Sequence, residues 1–395
     1  MNGALITSYS MSWQVDGGMG NSMYDSYNDH PHKEAVADVS AWSWRGTGPY
    51  TITFTARDGA GKVLAQRSVK VSIAGRATAT TTANPTTPAA ASEPVADSEG
   101  SSSEGSGVAS VKLYVDSYSP ASRQASEWRS SRPLDAAQMD KIAAHPRSFW
   151  FGGWNNNVSS DVSNVVTAAT AKGEVPVLVL YNIPQRDCGG HSSGGTTVEG
   201  YKSWIRAVAS GIAGRRAIVI LEPDSLAQID CLPAADQTTR FTLLTDALTV
   251  LKASSAISVY LDAGHANWIG AEEMSARLTK AGLAKADGFS LNASNFVTTE
   301  NNIAYGTQVS RATGGKHFVI DTSRNGAGPA ADGQWCNPLG RALGKRPTTN
   351  TGNSSVDAFL WIKYPGESDG SCNGGPAAGQ WWADYALGLA QRAAY

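Results

Sequence analysis

The sequence has 395 residues, 17% charged and 41% hydrophobic, with 32 basic against 34 acidic side chains and a formal net charge of −2. That length accommodates a large domain with a smaller companion. The near-neutral balance excludes the basic excess that nucleic acid or an anionic membrane surface selects, and no apolar run of about 18 residues supports a membrane span.

The opening MNGALITSYSMSW has no basic segment, and its apolar run is too short for a signal peptide. If the protein is exported, its leader is expected to be missing from this chain. Residues 1–77 read as a small β-sandwich-like module, accessory or carbohydrate-binding. Tyr50 to Ala56 alternate in the strand manner, Asp58-Gly59-Ala60-Gly61 is a turn, and a second strand runs from Val63 to Val71. Trp13, Trp42 and Trp44 could stack on sugars, although core packing is the simpler account. Residues 78–108 are rich in Thr, Pro, Ser and Gly and lack any periodic apolar pattern, which makes them a linker.

From residue 109 to 395 the texture changes. Short apolar runs recur at Val111–Val115, Phe149–Gly152, Pro176–Tyr181, Ala217–Leu221, Ile257–Leu261, Gly288–Leu291, His317–Ile320 and Phe359–Ile362. Helical stripes lie between them, for example Tyr201, Trp204, Ile205, Val208 and Ile212. Strands alternating with helices over this length predict a parallel α/β domain, most simply a barrel, with its chemistry at the C-terminal strand ends.

Acids follow several of these runs: Asp187, Glu222 with Asp224, Asp262, Asp321, and Glu367 with Asp369. Any one could be a cap; together they predict a carboxylate-lined cleft. Such a cleft can hold a metal, or it can pair a protonated with an ionised acid for glycoside hydrolysis. Only His191, His265 and His317 lie near these motifs, which disfavours a mixed His/carboxylate metal site, although Mg²⁺ needs no His. The 12 Trp and 13 Tyr suit a neutral ligand with flat apolar faces, with core packing the alternative for each. Phosphate-loop and serine-elbow motifs are missing. The four cysteines, Cys188, Cys231, Cys336 and Cys372, show no paired CxxC spacing; two disulfides in an exported protein fit them better than zinc.

The segments LYVDSYS, WFGGW, VLVLYNIPQRDCGGHSSGG, ILEPDSLAQIDC, YLDAGHANW, DTSRNGAGP, QWCNPLGRALG and DAFLWIKYPGESDGSC together resemble glycoside hydrolase family 6, the cellulases and cellobiohydrolases, from Val111 to the C-terminus. The resemblance implies a distorted (β/α) barrel, usually of seven strands, so one of the eight runs should be peripheral. It implies an inverting β-1,4-glucanase acting on cellulose and cello-oligosaccharides. The protein would be secreted and monomeric, with no cofactor, metal, nucleic-acid or membrane partner.

By that resemblance Asp224 is the general acid, and Asp187 raises its pKa and steers water. Asp369 is the proposed base, Asp262 an electrostatic support, and Tyr181 the side chain that crowds the sugar. Ser192 or Ser193 lies in the loop that holds the water. Trp154, Trp268, Trp335, Lys363 and Glu367 match sugar-binding positions, and His265 and Asn295 are further candidates. The family pattern pairs Cys188 with Cys231 and Cys336 with Cys372. Glu222 is expected to orient a neighbour rather than react. The short connections point to an open-cleft endoglucanase. The alternatives are a processive cellobiohydrolase, a metal-dependent hydrolase and a non-catalytic carbohydrate-binding protein on the same fold.

Overall fold

The structure, a computed structural model, describes residues 48–58, 62–72, 108 and 111–395, and the backbone of 9–15 and 21–23. The chain divides into two compact units, Met1–Glu99 and Gly100–Tyr395.

In the first unit, β1 (Tyr9–Val15), β2 (Asn21–Met23), β3 (Tyr50–Asp58) and β4 (Val63–Val71) form one antiparallel sheet, ordered β2-β1-β3-β4. Asp58 closes the reversal between β3 and β4. Its N–H donates to the Lys62 carbonyl at 2.9 Å, and its carboxylate accepts from the Lys62 N–H at 2.9 Å. Ile52 and Thr55 are buried, while β4 is exposed along almost its whole length. The side chain of Trp13, both Trp42 and Trp44, and the linker apart from Val108 lie outside the described residues.

In the second unit seven parallel strands lie in chain order: β5 (Ser148–Phe151), β6 (Val177–Leu180), β7 (Ala217–Leu221), β8 (Ile257–Asp262), β9 (Gly288–Leu291), β10 (His317–Asp321) and β11 (Val356–Leu360). Both faces of these strands are buried, so their sequences read as unbroken apolar runs such as VLVL and AIVIL. Alternate residues divide between two cores. Leu178, Leu180, Val219, Leu221, Val259 and Leu261 pack outward on α4 (Val198–Ile212) and α5 (Ala234–Leu251). Val177, Val179, Ile218, Ile220, Tyr260, Val319 and Leu360 fill the interior. Each such side chain stabilises by about 1.5–3 kcal/mol on burial. The outer layer continues with α3 (Val158–Ala171), α6 (Ala271–Lys280) and α7 (Thr299–Ala312). A third cluster joins α1 (Pro120–Trp128), α2 (Pro133–Ala143) and α8 (Ala383–Gln391) around Trp361 and Tyr364.

The barrel closes without a strand ladder. Ser148 donates from its N–H (3.2 Å) and Oγ (3.0 Å) to the Trp361 carbonyl, and the Trp150 indole donates to the Ile362 carbonyl at 2.8 Å. That seam is the distortion. The peripheral run is Val111–Val115, which makes a single bridge from Leu113 to Val175. Beyond that bridge the Val115 N–H donates to the Glu174 carboxylate at 3.1 Å. Among the described residues no helix is long and apolar enough to cross a membrane.

Candidate active site

Parallel strands present all their C-terminal ends at one mouth, and the backbone there is forced into uncommon conformations. Gln185, Asp187, Cys188, Glu222, Asp224, Asn292 and Ser294 all have φ between +47° and +68°. For residues other than glycine each such conformation costs about 1–3 kcal/mol, which the surrounding packing must offset. The strain falls in the turns after β6, β7 and β9, and those after β6 and β7 carry the expected carboxylates.

Asp224 and Asp262 are joined through the backbone. The Asp224 N–H donates to Asp262 Oδ1 at 3.0 Å, and the Gly264 N–H donates to the same oxygen at 3.0 Å. Ser290 Oγ donates to Asp262 Oδ2 at 3.1 Å. Burial pushes the Asp262 carboxyl up to about 6, against the pull of these hydrogen bonds. Among the described residues the Asp224 carboxyl receives no comparable donors. Burial first, then the charges of Asp262, Asp187 and Asp369, raise it well above the ordinary carboxylate range.

Asp187 is enclosed by its own loop. Ser192 donates to Asp187 Oδ2 from its N–H at 2.8 Å and from Oγ at 2.9 Å, and Gln228 Nε2 reaches Oδ1 at 3.2 Å. Tyr181 Oη lies 3.1 Å from Ser192 Oγ, and burial raises its phenol above the ordinary range, with the charge of Asp224 the next cause. Ser193 contributes its carbonyl, which accepts from Arg186. That arginine holds the loop from within, donating to the carbonyls of Tyr181 (2.7 Å), Ser192 (2.8 Å) and Ser193 (3.2 Å). Glu222 is fully buried and accepts the Asn182 N–H on both oxygens at 3.0 Å and the Ile183 N–H at 3.1 Å. Its carboxyl is pushed up to about 7 by burial. It therefore fixes the chain leading to Asp187.

Asp369 is paired differently. Arg324 donates to its Oδ2 at 2.9 Å and the Asn337 N–H at 3.0 Å, while Lys363 Nζ stands 4.0 Å from Oδ1. Lys363 is buried and already donates to the Ser368 carbonyl at 3.0 Å, and burial lowers its pKa. Glu367 is half-buried; burial raises its carboxyl, opposed by Lys363 and Arg147. Asp321 departs from the expectation of a cleft acid. It is wholly buried and accepts the N–H groups of Ser294, Ser323, Ile362 and Lys363, because β10 ends inside the turn after β11. Arg324 and Arg186 escaped the sequence reading. Both stand inside recognised motifs, and a search for the counter-charge of each acid could have found Arg324.

Trp154, Trp268 and Trp335 are 45%, 37% and 53% exposed; the other described tryptophans are buried or half-buried. The His265 ring lies 5.3 Å from that of Trp268, tilted by 38°; it accepts the Asn267 N–H through Nδ1 at 3.3 Å, and its pKa is lowered to about 4 by burial. Asn295 is half-buried, its side chain accepting the Phe296 N–H at 3.0 Å. The disulfides are Cys188–Cys231 and Cys336–Cys372, as the resemblance implied. Among the described residues the one His/Cys/Asp/Glu group within metal-ligand reach is His191 with Cys336 and Cys372, whose sulfurs are joined to each other and offer no thiolate.

Residues 108–393 match the family described as Glycosyl hydrolases family 6. The chain is 46% identical over 284 residues to Endoglucanase A of Cellulomonas fimi, an alignment covering 71% of this chain and 61% of that protein. It superposes with a TM-score of 0.69 and 47% identity on the Mycobacterium tuberculosis endoglucanase Cel6, solved with methyl-cellobiosyl-4-deoxy-4-thio-β-D-cellobioside, covering 72% of this chain and 98% of that one. Against the catalytic core of the Chaetomium thermophilum cellobiohydrolase Cel6A the TM-score is 0.63 at 27% identity, covering 73% and 99%.

Proposed function

The chain belongs to the glycosyl hydrolases family 6, and from that premise we propose that it hydrolyses β-1,4-glucan chains with inversion, cutting at internal bonds. The observation that carries this reading is Asp224. Burial and three neighbouring acids raise its carboxyl well above the ordinary carboxylate range, the direction that a general acid near neutral pH requires.

Asp224 protonates the leaving glycosidic oxygen as the C–O bond breaks. Water attacks the anomeric carbon from the opposite ring face and loses its proton to Asp369 Oδ1, the oxygen that Arg324 and Asn337 leave open. The product is an α-hemiacetal. Asp187 and Asp262 supply the like charge that holds the acid's proton, and the Tyr181–Ser192–Asp187 chain positions the sugar and the water. The three exposed tryptophans stack on glucosyl faces, with Lys363, Glu367, His265 and Asn295 lining the same mouth. Two disulfides favour an oxidising compartment, and export is part of the proposal. The Ser/Thr/Pro-rich segment tethers the first unit to the hydrolase, where it raises the local concentration of substrate.

Cutting at internal bonds rests on the short connections: the disulfides close separations of only 43 and 36 residues. The likeness to a cellobiohydrolase core keeps end-directed action as the second reading. Proton NMR of cellohexaose during turnover, before mutarotation, tests both. An α-anomer signal with mixed internal products is expected. A β-anomer overturns inversion, and cellobiose released from one end overturns the internal cut.

A further inference from the structure

His191 has no part in the chemistry above, yet it stands where two loops of the site meet. It is an exposed residue of the turn that closes on Asp187: the Gly190 N–H donates to the Asp187 carbonyl at 2.7 Å, and the Ser193 N–H to the Gly190 carbonyl at 3.1 Å. Its side chain leaves this turn and lands on the other one. A methyl group added to Gly370 would come within 2.6 Å of His191 Cβ and Cγ, so the histidine packs against the backbone of the residue after Asp369. A ring nitrogen lies within 4.8 Å of both sulfurs of Cys336–Cys372, and the ring centroid is 6.1 Å from that of Trp335, tilted by 57°. The contacts are disulfide sulfur, glycine backbone and indole.

We infer that His191 is a positioning residue, an interloop strut that sets the Asp187–Ser192 turn against the disulfide-pinned turn carrying Asp369. The turn needs such a strut. Arg186 anchors it from within and Cys188–Cys231 anchors its base, but Gly189, Gly190, Gly194 and Gly195 give it little side-chain anchorage. Gly370 is the matching half. Its φ of +155° and missing side chain leave the place that the imidazole occupies. The separation of Asp187 from Asp369 is thus set by packing between loops that leave the barrel at β6 and β11, with β5 between them.

The inference rests on the proposed roles of Asp187 and Asp369, and two readouts keep it separable from them. His191→Ala is expected to lower kcat on cellohexaose by about 10- to 100-fold, the cost of a displacement of about 1 Å in a catalytic group, with KM within about twofold. His191→Phe, which fills the same space without a titrating nitrogen, is expected to recover kcat to within about threefold. Hydrogen exchange at the Ser192, Ser193 and Gly194 amides should accelerate in the alanine variant and return to normal in the phenylalanine variant. Wild-type kcat and wild-type exchange in His191→Ala overturn the strut. A phenylalanine variant with normal exchange but alanine-like kcat overturns packing in favour of proton chemistry at the ring. If the wild type cleaves no glucan, the functional reading falls, and the exchange rates still decide the strut.

Discussion

Asp224 and Asp262 show how one hydrogen bond divides the work between two carboxyls. Asp262 accepts three donors, among them the N–H of Asp224 itself, and so is held near 6 despite complete burial. Asp224 has like charges around it and retains its proton further up the pH scale. An enzyme that needs Asp224 protonated loses activity as pH rises through its pKa. Removing a neighbouring negative charge lowers that pKa, so Asp262→Asn should move the alkaline limb of kcat to lower pH. Asparagine still accepts the Asp224 N–H, so the turn survives. Asp224→Asn should lose about 10²–10⁴ in kcat at every pH, with KM little changed. An alkaline limb that stays in place in Asp262→Asn would falsify the assignment of the acid. The acids themselves were legible because each follows an apolar run, but their electrostatic partners were not. Arg324 meets Asp369 across 45 positions, a pairing set by the side-by-side packing of β10 and β11 and by nothing in the local sequence.

At the scale of elements, the strands were readable and their endings were not. A parallel sheet buried on both faces writes itself as unbroken apolar runs, so β5 to β11 were found within a few residues. The run Val111–Val115 has the same composition yet makes only the Leu113–Val175 bridge, and its end is held by a distant side chain, the Glu174 carboxylate on the Val115 N–H. The turn after β6 depends equally on distant groups. Gly195 has φ +95°, and a methyl there would overlap the Ile183 carbonyl oxygen. Gly195→Ala should therefore displace the Asp187 turn, lowering kcat about tenfold or more and stability by about 1–3 kcal/mol, measured by turnover and by urea unfolding. Glu222→Gln acts on the same turn from below. Glutamine can keep one oxygen for both N–H groups, since both reach Oε2, but it sets its own NH₂ against the Asn182 N–H in place of Oε1, and a loss of about 1–3 kcal/mol is expected. The Cys188–Cys231 bridge closes 43 residues, so Cys188→Ala with Cys231→Ala should cost at most about 4 kcal/mol by loop entropy. Unchanged unfolding midpoints in these variants would show that Arg186 alone secures the turn.

For the molecule as a whole, the concentration of buried acids at one mouth sets how its stability depends on pH. Asp262 is raised to about 6 and Glu222 to about 7, and Asp224 is raised as well, whereas the unfolded chain titrates all three near ordinary carboxylate values. Between about pH 4 and 7 the folded state then holds more protons on these groups than the unfolded state does. The slope of unfolding free energy with pH is proportional to protons bound unfolded minus folded, so it is negative here. For Asp262 and Glu222 the unfavourable contribution is nil below about pH 4 and complete above about pH 7, and for a shift of about two units it is on the order of 3 kcal/mol per carboxyl before relaxation. The second unit should thus melt at higher temperature near pH 5 than near pH 7.5, opposite to a protein whose carboxylates are stabilised by salt bridges. Asp262→Asn should remove the part of the slope between about pH 4 and 6, and Glu222→Gln the part between about pH 4.5 and 7. Melting temperatures of the three proteins across pH 4–8 measure this directly. A wild type that gains stability steadily up to pH 7.5, or variants that keep its full slope, would mean that these carboxyls are ionised in the folded protein, and the acid role of Asp224 would lose its electrostatic basis.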